Sequence, residues 1–248
     1  GYAQTSAIGT YGGSVIIGGG TNDTTTGCAA AFNCIAGYAN GNTAAIGASI
    51  VSGASISAAG GNIAIYGVGN SVGSSTGDGI RVLGSSGSTA LSTSGSGTIT
   101  LNAIATGAWN GIRITDASVV AGSGLVSITG NSLSTGSYDG VRLEGASSIT
   151  STGALTIAGT GGSGHYGVWI YGTGSINVGG DITINGQNAS RNYGTVLDNA
   201  RVIQTTAGNI YLTGVGTEGI YSYASLIAGN SSSNPTSGGG ITVNATGN

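Results

Sequence analysis

Three arginines recur at one place in a repeating motif. Arg81, Arg113 and Arg142 stand in Asp78-Gly-Ile-Arg-Val82, Asn110-Gly-Ile-Arg-Ile114 and Asp139-Gly-Val-Arg-Leu143. A guanidinium presents a fork of N–H donors that fits carboxylate, sulfate or phosphate oxygens. A ladder of three is therefore a candidate strip for acidic glycans or for a neighbouring subunit. Like charges stacked that closely repel unless paired. Asp78, Asp139, Asp116 and Glu144 lie within a few residues, so a locally neutralised surface strip is the other reading. In later copies the arginine position becomes Trp169, Val196 and Tyr221, with Tyr166, Tyr171, Tyr193, Tyr211 and Tyr223 near it in sequence. Exposed aromatics on a rigid sheet stack on sugars or bury at an interface. Tyrosine is also simply favoured in strands.

The remaining reactive residues are sparse. Paired carboxylates suit glycoside hydrolysis, and Asp116 with Glu144 is the best-matched pair in neighbouring repeats. The other acids scatter over registers, and the chain has no lysine to act as base in a lyase. The expectation is that the chain is not an enzyme. The lone histidine, His165 in Gly164-His-Tyr-Gly167, reads as a solvated turn residue. Gly161-Gly-Ser-Gly-His-Tyr166 lacks the Asp that a calcium-binding nonapeptide repeat requires. Neither a metal nor any other cofactor is implied. Cys28 and Cys34, the two cysteines, read as a local disulfide in an extracellular chain. An ice-binding face would show regular Thr-x-Thr pairs in every coil, and pairs such as Thr98 with Thr100 do not recur in that way. Asn22, Asn188, Asn230 and Asn244 match N-x-Ser/Thr, as chance allows in so Asn- and Ser-rich a chain.

Composition narrows the class further. The 248 residues include 52 glycines, five arginines and eight acidic residues, for a net charge of −3. Nucleic-acid binding needs a basic face, which this balance denies. Disordered chains are poor in β-branched residues, whereas this one is rich in Ile, Val and Thr. No apolar run approaches the ~18 residues of a membrane-spanning helix. The absence of methionine fits a processed chain or a segment of a longer one.

The elements that must hold these residues come from the repeats. One motif, Gly-x-Ile-x-Ile, appears at Gly61-Asn-Ile-Ala-Ile65, Gly97-Thr-Ile-Thr-Leu101, Gly124-Leu-Val-Ser-Ile128, Gly153-Ala-Leu-Thr-Ile157, Gly180-Asp-Ile-Thr-Ile184, Gly208-Asn-Ile-Tyr-Leu212 and Gly239-Gly-Ile-Thr-Val243. The arginine-bearing motif follows in the same order, with later copies at Tyr166-Gly-Val-Trp-Ile170, Tyr193-Gly-Thr-Val-Leu197 and Glu218-Gly-Ile-Tyr-Ser222. A third apolar element comes next, as in Ser175-Ile-Asn-Val178 and Arg201-Val-Ile203. Each unit spans about 28 residues and holds three short strands of period-2 alternation between turns. Such a unit cannot bury its apolar stripe alone, but stacked units can. The expected fold is an all-β, single β-solenoid (a parallel β-helix) with three strands per coil and six to seven clear coils. Ile63, Ile99, Val126, Leu155, Ile182, Ile210 and Ile241 form one inward stack. Ile65, Leu101, Ile128, Ile157, Ile184, Leu212 and Val243 form a second, with Ala64, Thr100, Ser127, Thr156, Thr183, Tyr211 and Thr242 pointing out between them. Residues 46–248 carry the repeats. Residues 1–45 break the pattern and read as an irregular cap or docking segment, with Ser14-Val-Ile-Ile17 as one further strand.

Copies such as Gly180-Asp-Ile-Thr-Ile184 and Asp139-Gly-Val-Arg-Leu143 resemble those of filamentous-haemagglutinin-type β-helical exoproteins and of the giant β-strand-repeat surface proteins of bacteria. The resemblance covers about Gly61 to Val243. It implies export, surface display, and a part in adhesion or extracellular fibres. The expected role is a structural subunit or segment of an extracellular fibre or cell-surface adhesin, secreted or on the cell surface. Copies would associate head to tail through unpaired strand edges, with Ile241, Thr242 and Val243 as the assembly edge. The alternative is a glycan- or host-binding module that uses Arg81, Arg113, Arg142, Tyr166, Trp169, Tyr171, Tyr193 and Tyr221. A polysaccharide-degrading enzyme and an ice-binding protein are the lesser alternatives.

Overall fold

A computed structural model describes residues 7–18, 39–40, 46–51, 53–70, 77–188, 193–199, 201–229 and 239–247. Among them there are strands and turns but no helix. The expected Cys28–Cys34 bridge lies outside the described residues.

The chain is a parallel β-solenoid of about six turns, each about 29 residues long. Three ladders run along it. The first face stacks Val15–Ile17, Ile63–Gly69, Ile99–Ala105, Val126–Ser132, Leu155–Gly161, Ile182–Asn188, Ile210–Gly216 and Ile241–Gly247. The second stacks Ala48–Ile50, the starts of the long strands Ile80–Thr93 and Ile112–Ala121, then Val141–Glu144, Val168–Ile170, Thr195–Leu197 and Ile220–Ser222. The third stacks Ala7–Thr10, Ser55–Ala58, the ends of the same two long strands, Ser148–Ser151, Ser175–Val178, Val202–Thr205 and Ser225–Ala228. All pairings are parallel. The two long strands turn the corner between the second and third faces without a break, which joins those faces into one sheet. Ala7–Thr10 and Val15–Ile17, from the part that breaks the repeat pattern, extend the third and first ladders.

Alternation explains the register. On the first face Val126 pairs Leu155 and Ile128 pairs Ile157, so apolar side chains of successive coils meet inside. Both inward stacks are buried from Ile63 to Leu212. Each such aliphatic contributes roughly 1.5–3 kcal/mol by burial. Ile241 and Val243 continue the stacks but are 45% and 53% exposed. Among the described residues nothing packs on their far side.

The corners carry polar ladders. Between the first and second faces, the backbone N–H and side-chain amide of Asn110 donate to Asp78 Oδ1, both at 3.2 Å. The Asp139 N–H donates to Asn110 Oδ1 at 2.9 Å, and the Tyr166 N–H to Asp139 Oδ1 at 3.2 Å. Each acceptor serves the coil above it, which satisfies buried N–H groups that would otherwise cost free energy. At the corner after the third face, Thr93 Oγ1 donates to the carbonyls of Ala58 and Gly61, both at 2.6 Å. Ser151 and Thr205 repeat the device on Gly122 and Gly180. The glycine before each second-face strand is needed for close approach: a Cβ on Gly167 would collide with the backbone nitrogen of Gln187 in the next coil.

Candidate binding face

The second face gathers the residues singled out in the sequence. Arg81 pairs in register with Arg113, Arg113 with Arg142, Arg142 with Trp169, Trp169 with Val196, and Val196 with Tyr221. Two residues further on, a parallel column runs Thr115, Glu144, Tyr171, Asp198, Tyr223. Three residues before, at the corner, a third column runs Asp78, Asn110, Asp139, Tyr166, Tyr193, with Glu218 just beyond. Tyr211 does not join them. It lies on the first face, in register with Thr183 and Thr242.

The first three coils are ion-paired. Arg81 Nε donates to Asp78 at 2.8 Å, and its Nη2 lies 2.7 Å from the same oxygen. Arg113 donates through Nε to Glu144 Oε1 at 2.6 Å, and Arg142 through Nε to Glu144 Oε2 at 2.7 Å. A second Arg142 nitrogen is 3.8 Å from Asp139. One carboxylate, Glu144, thus serves two guanidiniums from adjacent coils. Burial raises its carboxyl, but hydrogen bonds from Thr115, Tyr171 and Arg113, with the charge of Arg142, outweigh that and hold it down at about 2. A carboxyl so acidic is unsuited to donating a proton to a leaving group. Asp116, its expected partner, binds backbone just after Glu144. Its backbone is left-handed at φ 51°, and its Oδ1 accepts the Ala146 N–H at 2.8 Å. Glu144 is thus engaged by two guanidiniums, and Asp116 by the backbone of the next coil.

The next coils are aromatic. Arg142 marks the seam, with its guanidinium 4.4 Å from the Trp169 ring centre and 5.4 Å from that of Tyr171. Trp169 and Tyr171 stack at 4.4 Å. Tyr166 meets Trp169 edge-on at 5.4 Å and Tyr193 at 6.2 Å. Tyr193 meets Tyr221 at 5.2 Å, and Tyr221 meets Tyr223 at 5.0 Å. Rings from three coils thus form one connected patch. Such pairs are worth about 0.5–1.5 kcal/mol beyond their buried area.

Two residues behave differently from their sequence reading. His165 sits in a bend, as expected, but is only partly exposed. Its Nδ1 bonds the buried Asp139, and its ring packs 5.3 Å from Trp169. Burial pushes the Asp139 carboxyl up, against the lowering influence of His165 and Arg142. Arg201, read as the start of a strand, is 2% exposed and has no acidic partner among the described residues. Its guanidinium donates to the carbonyls of Ser147 at 2.9 Å, Tyr171 at 3.0 Å and Gly145 at 3.1 Å. Burial lowers it to about 10. It staples three coils through their backbone. No sequence signal marks this role, because the three carbonyls are chosen by coil stacking.

Among the described residues no group of three or more metal-ligating side chains comes together. No protein-family model, curated protein or solved structure matches the chain. Of the expected likeness to bacterial β-helical exoproteins, the structure shows the β-solenoid fold alone.

Proposed function

We propose that this chain is a structural subunit or segment of an extracellular fibre or cell-surface adhesin, whose solenoids join end to end. The observation that carries this reading is the strand Ile241–Gly247. It continues the first ladder in full register on Ile210–Gly216, yet every residue in it is exposed. Ile241 and Val243 hold inward positions that a further coil would cover. At the opposite end of the described structure, Ile8 stands in register with the buried Ile56 and is itself exposed. Unpaired parallel edges with apolar interior positions are templates for another coil. An edge that meets a different edge makes a heterologous contact that does not close, and so propagates. The likeness of the repeats to surface-displayed solenoids supports an extracellular setting.

The test is sedimentation and negative-stain microscopy of the purified chain over a wide concentration range. Thin unbranched fibres, lost in Val243→Asp, are expected. A chain that stays monomeric at high concentration overturns the reading.

A second reading, favoured by the connected rings of Tyr166, Trp169, Tyr171, Tyr193 and Tyr221, is a glycan- or host-binding module that does not polymerise. Loss of binding in Trp169→Ala with an unchanged fold would support it.

A further inference from the structure

The rings of the second face form a chain whose two ends differ in charge. At one end Arg142 holds its guanidinium 4.4 Å from the Trp169 ring centre, and Tyr171 stacks on Trp169 at 4.4 Å. The chain runs on through Tyr166, 5.4 Å from Trp169 and 6.2 Å from Tyr193, to Tyr221, 5.2 Å from Tyr193. At the far end the charges are acidic. The Tyr193 phenol donates to Glu218, and the charge of Asp198 acts on Tyr221.

A ring that loses an electron becomes positive, and a phenol that loses one also sheds its proton. Both changes are disfavoured beside a guanidinium and favoured beside carboxylates, since charges a few ångströms apart interact strongly where water is partly excluded. Rings in contact pass an electron vacancy from one to the next. A vacancy formed anywhere in the chain is therefore driven away from Trp169 and toward Tyr193 and Tyr221, where Glu218 is placed to take the Tyr193 proton. The sequence contains no methionine, so the thioether that commonly takes up oxidation is missing.

Tyr193 and Tyr221 also have the pose for coupling. They stand on adjacent coils with ring planes tilted by 47°, and a biaryl bond joins rings twisted in that manner. Tyr221 and Tyr223 are as close, at 5.0 Å, but meet in a T, which aims a ring edge at a π-face rather than at another edge. Tyr193 and Tyr221 are half-buried and Tyr223 is exposed, so this end of the chain is open to solutes.

We infer that Tyr193 and Tyr221 are a site of oxidative cross-linking, at which a peroxide-fed one-electron oxidant couples the two rings into a dityrosine that ties one coil to the next. Each phenol gives up one electron and its hydroxyl proton. The two radicals join through the ring carbons ortho to the hydroxyls, and the hydrogens displaced from those carbons return to the oxygens and restore both phenols. The peroxide takes up the two electrons and two protons, its O–O bond breaks, and two waters leave. The new bond closes one complete turn between coils otherwise held by hydrogen bonds and packing. It lies along the side of the solenoid and does not depend on end-to-end joining.

The experiment treats the full chain with hydrogen peroxide and a haem peroxidase, then unfolds it and digests it with trypsin. Cleavage after Arg142, Arg191 and Arg201 leaves Tyr166 and Tyr171 in the 143–191 peptide, Tyr193 in 192–201, and Tyr211, Tyr221 and Tyr223 in 202–248. The expected main product is 192–201 joined to 202–248, with dityrosine fluorescence, and the treated chain should unfold at a higher urea concentration. An equal mixture of heavy-isotope-labelled and unlabelled chains should give no mixed cross-link, whatever the assembly state. Tyr193→Phe and Tyr221→Phe, each folded by circular dichroism, should abolish the product. Tyr223→Phe should keep it, and Glu218→Gln should slow it severalfold. Absence of the joined peptide, its survival in Tyr221→Phe, its loss in Tyr223→Phe, a mixed-isotope cross-link, an unslowed Glu218→Gln, or oxidation first at Trp169 would each overturn the assignment.

Discussion

The second face solves one problem in two ways. From Arg81 to Glu144, outward positions of adjacent coils carry like charges at the ~4.8 Å strand spacing. Unpaired, neighbouring guanidiniums at that distance would repel by a few kcal/mol at an effective dielectric constant of about 20. The structure removes the repulsion with acids that are themselves buried, Asp78 and Glu144. From Tyr166 to Tyr223 the same columns carry mainly rings, interrupted by Val196 and Asp198, and the rings cover the ladder by stacking and edge contacts without counter-charges of their own. The lesson concerns tolerance. A ring patch loses one member by degrees, whereas removing the buried carboxylate shared by two arginines leaves Arg113 without an acid among the described residues and weakens the hold on Arg142.

That contrast can be broken or sharpened by measurement. The largest effect should come from Glu144→Gln. Removing one partner of a buried ion pair costs about 3–5 kcal/mol; here Arg113 loses its acid while Arg142 keeps Asp139 at 3.8 Å, so urea unfolding should shift by about the lower figure. A loss under 1 kcal/mol would show that the charged half is no more brittle than the aromatic half. Next, Gly111→Ala and Gly167→Ala place the same steric conflict in the two halves, since each Cβ would meet backbone of the neighbouring coil. Each should cost roughly 1–3 kcal/mol, and the two should agree. A clear inequality would mean that the coils differ in backbone slack as well as in surface chemistry. Trp169→Ala removes a half-buried ring with several ring contacts and should cost about 1–2 kcal/mol in the same assay. The smallest effect should be Tyr223→Ala, on an exposed ring, within about 0.5 kcal/mol.

Acid titration separates the halves by sign. The carboxyl of Glu144 is held down at about 2, below its ordinary 4.5. Its contribution to stability is therefore complete above about pH 4.5 and is lost as the pH falls toward 2. Asp139 is raised, so its protonation as the pH falls favours the folded state and works in the opposite direction. The melting temperature of the native chain should drop between pH 4.5 and 2. Glu144→Gln should lose much of that drop, and Trp169→Ala should keep it.

Much of this face was legible in the sequence. The shared register of Arg81, Arg113 and Arg142, and its change to Trp169, Val196 and Tyr221, follows from counting residues between glycines. Burial from Ile63 to Leu212 follows from alternation. The aromatic patch was legible in outline, although Tyr211 belongs to another face and His165 packs among the rings. Sequence proximity suggested Asp116 as a neighbour of Arg113. The corner instead turns Asp116 into a left-handed position, where it binds the backbone of the next coil.

By itself, then, the sequence determined the all-β class, the length of the coil, the inward stacks and the identity of the columns. These are properties of period-2 alternation and of repetition, which act between near neighbours and add up along the chain. Tertiary structure alone decided that Glu144 bridges Arg113 and Arg142, that Asp78, Asn110 and Asp139 hand one hydrogen bond from coil to coil, and that Arg201 caps carbonyls two coils back. Apart from Arg142 with Glu144, those contacts join residues separated by about one or two full turns. Their geometry depends on how each corner bends and how far one coil is offset from the next, and no local pattern encodes that.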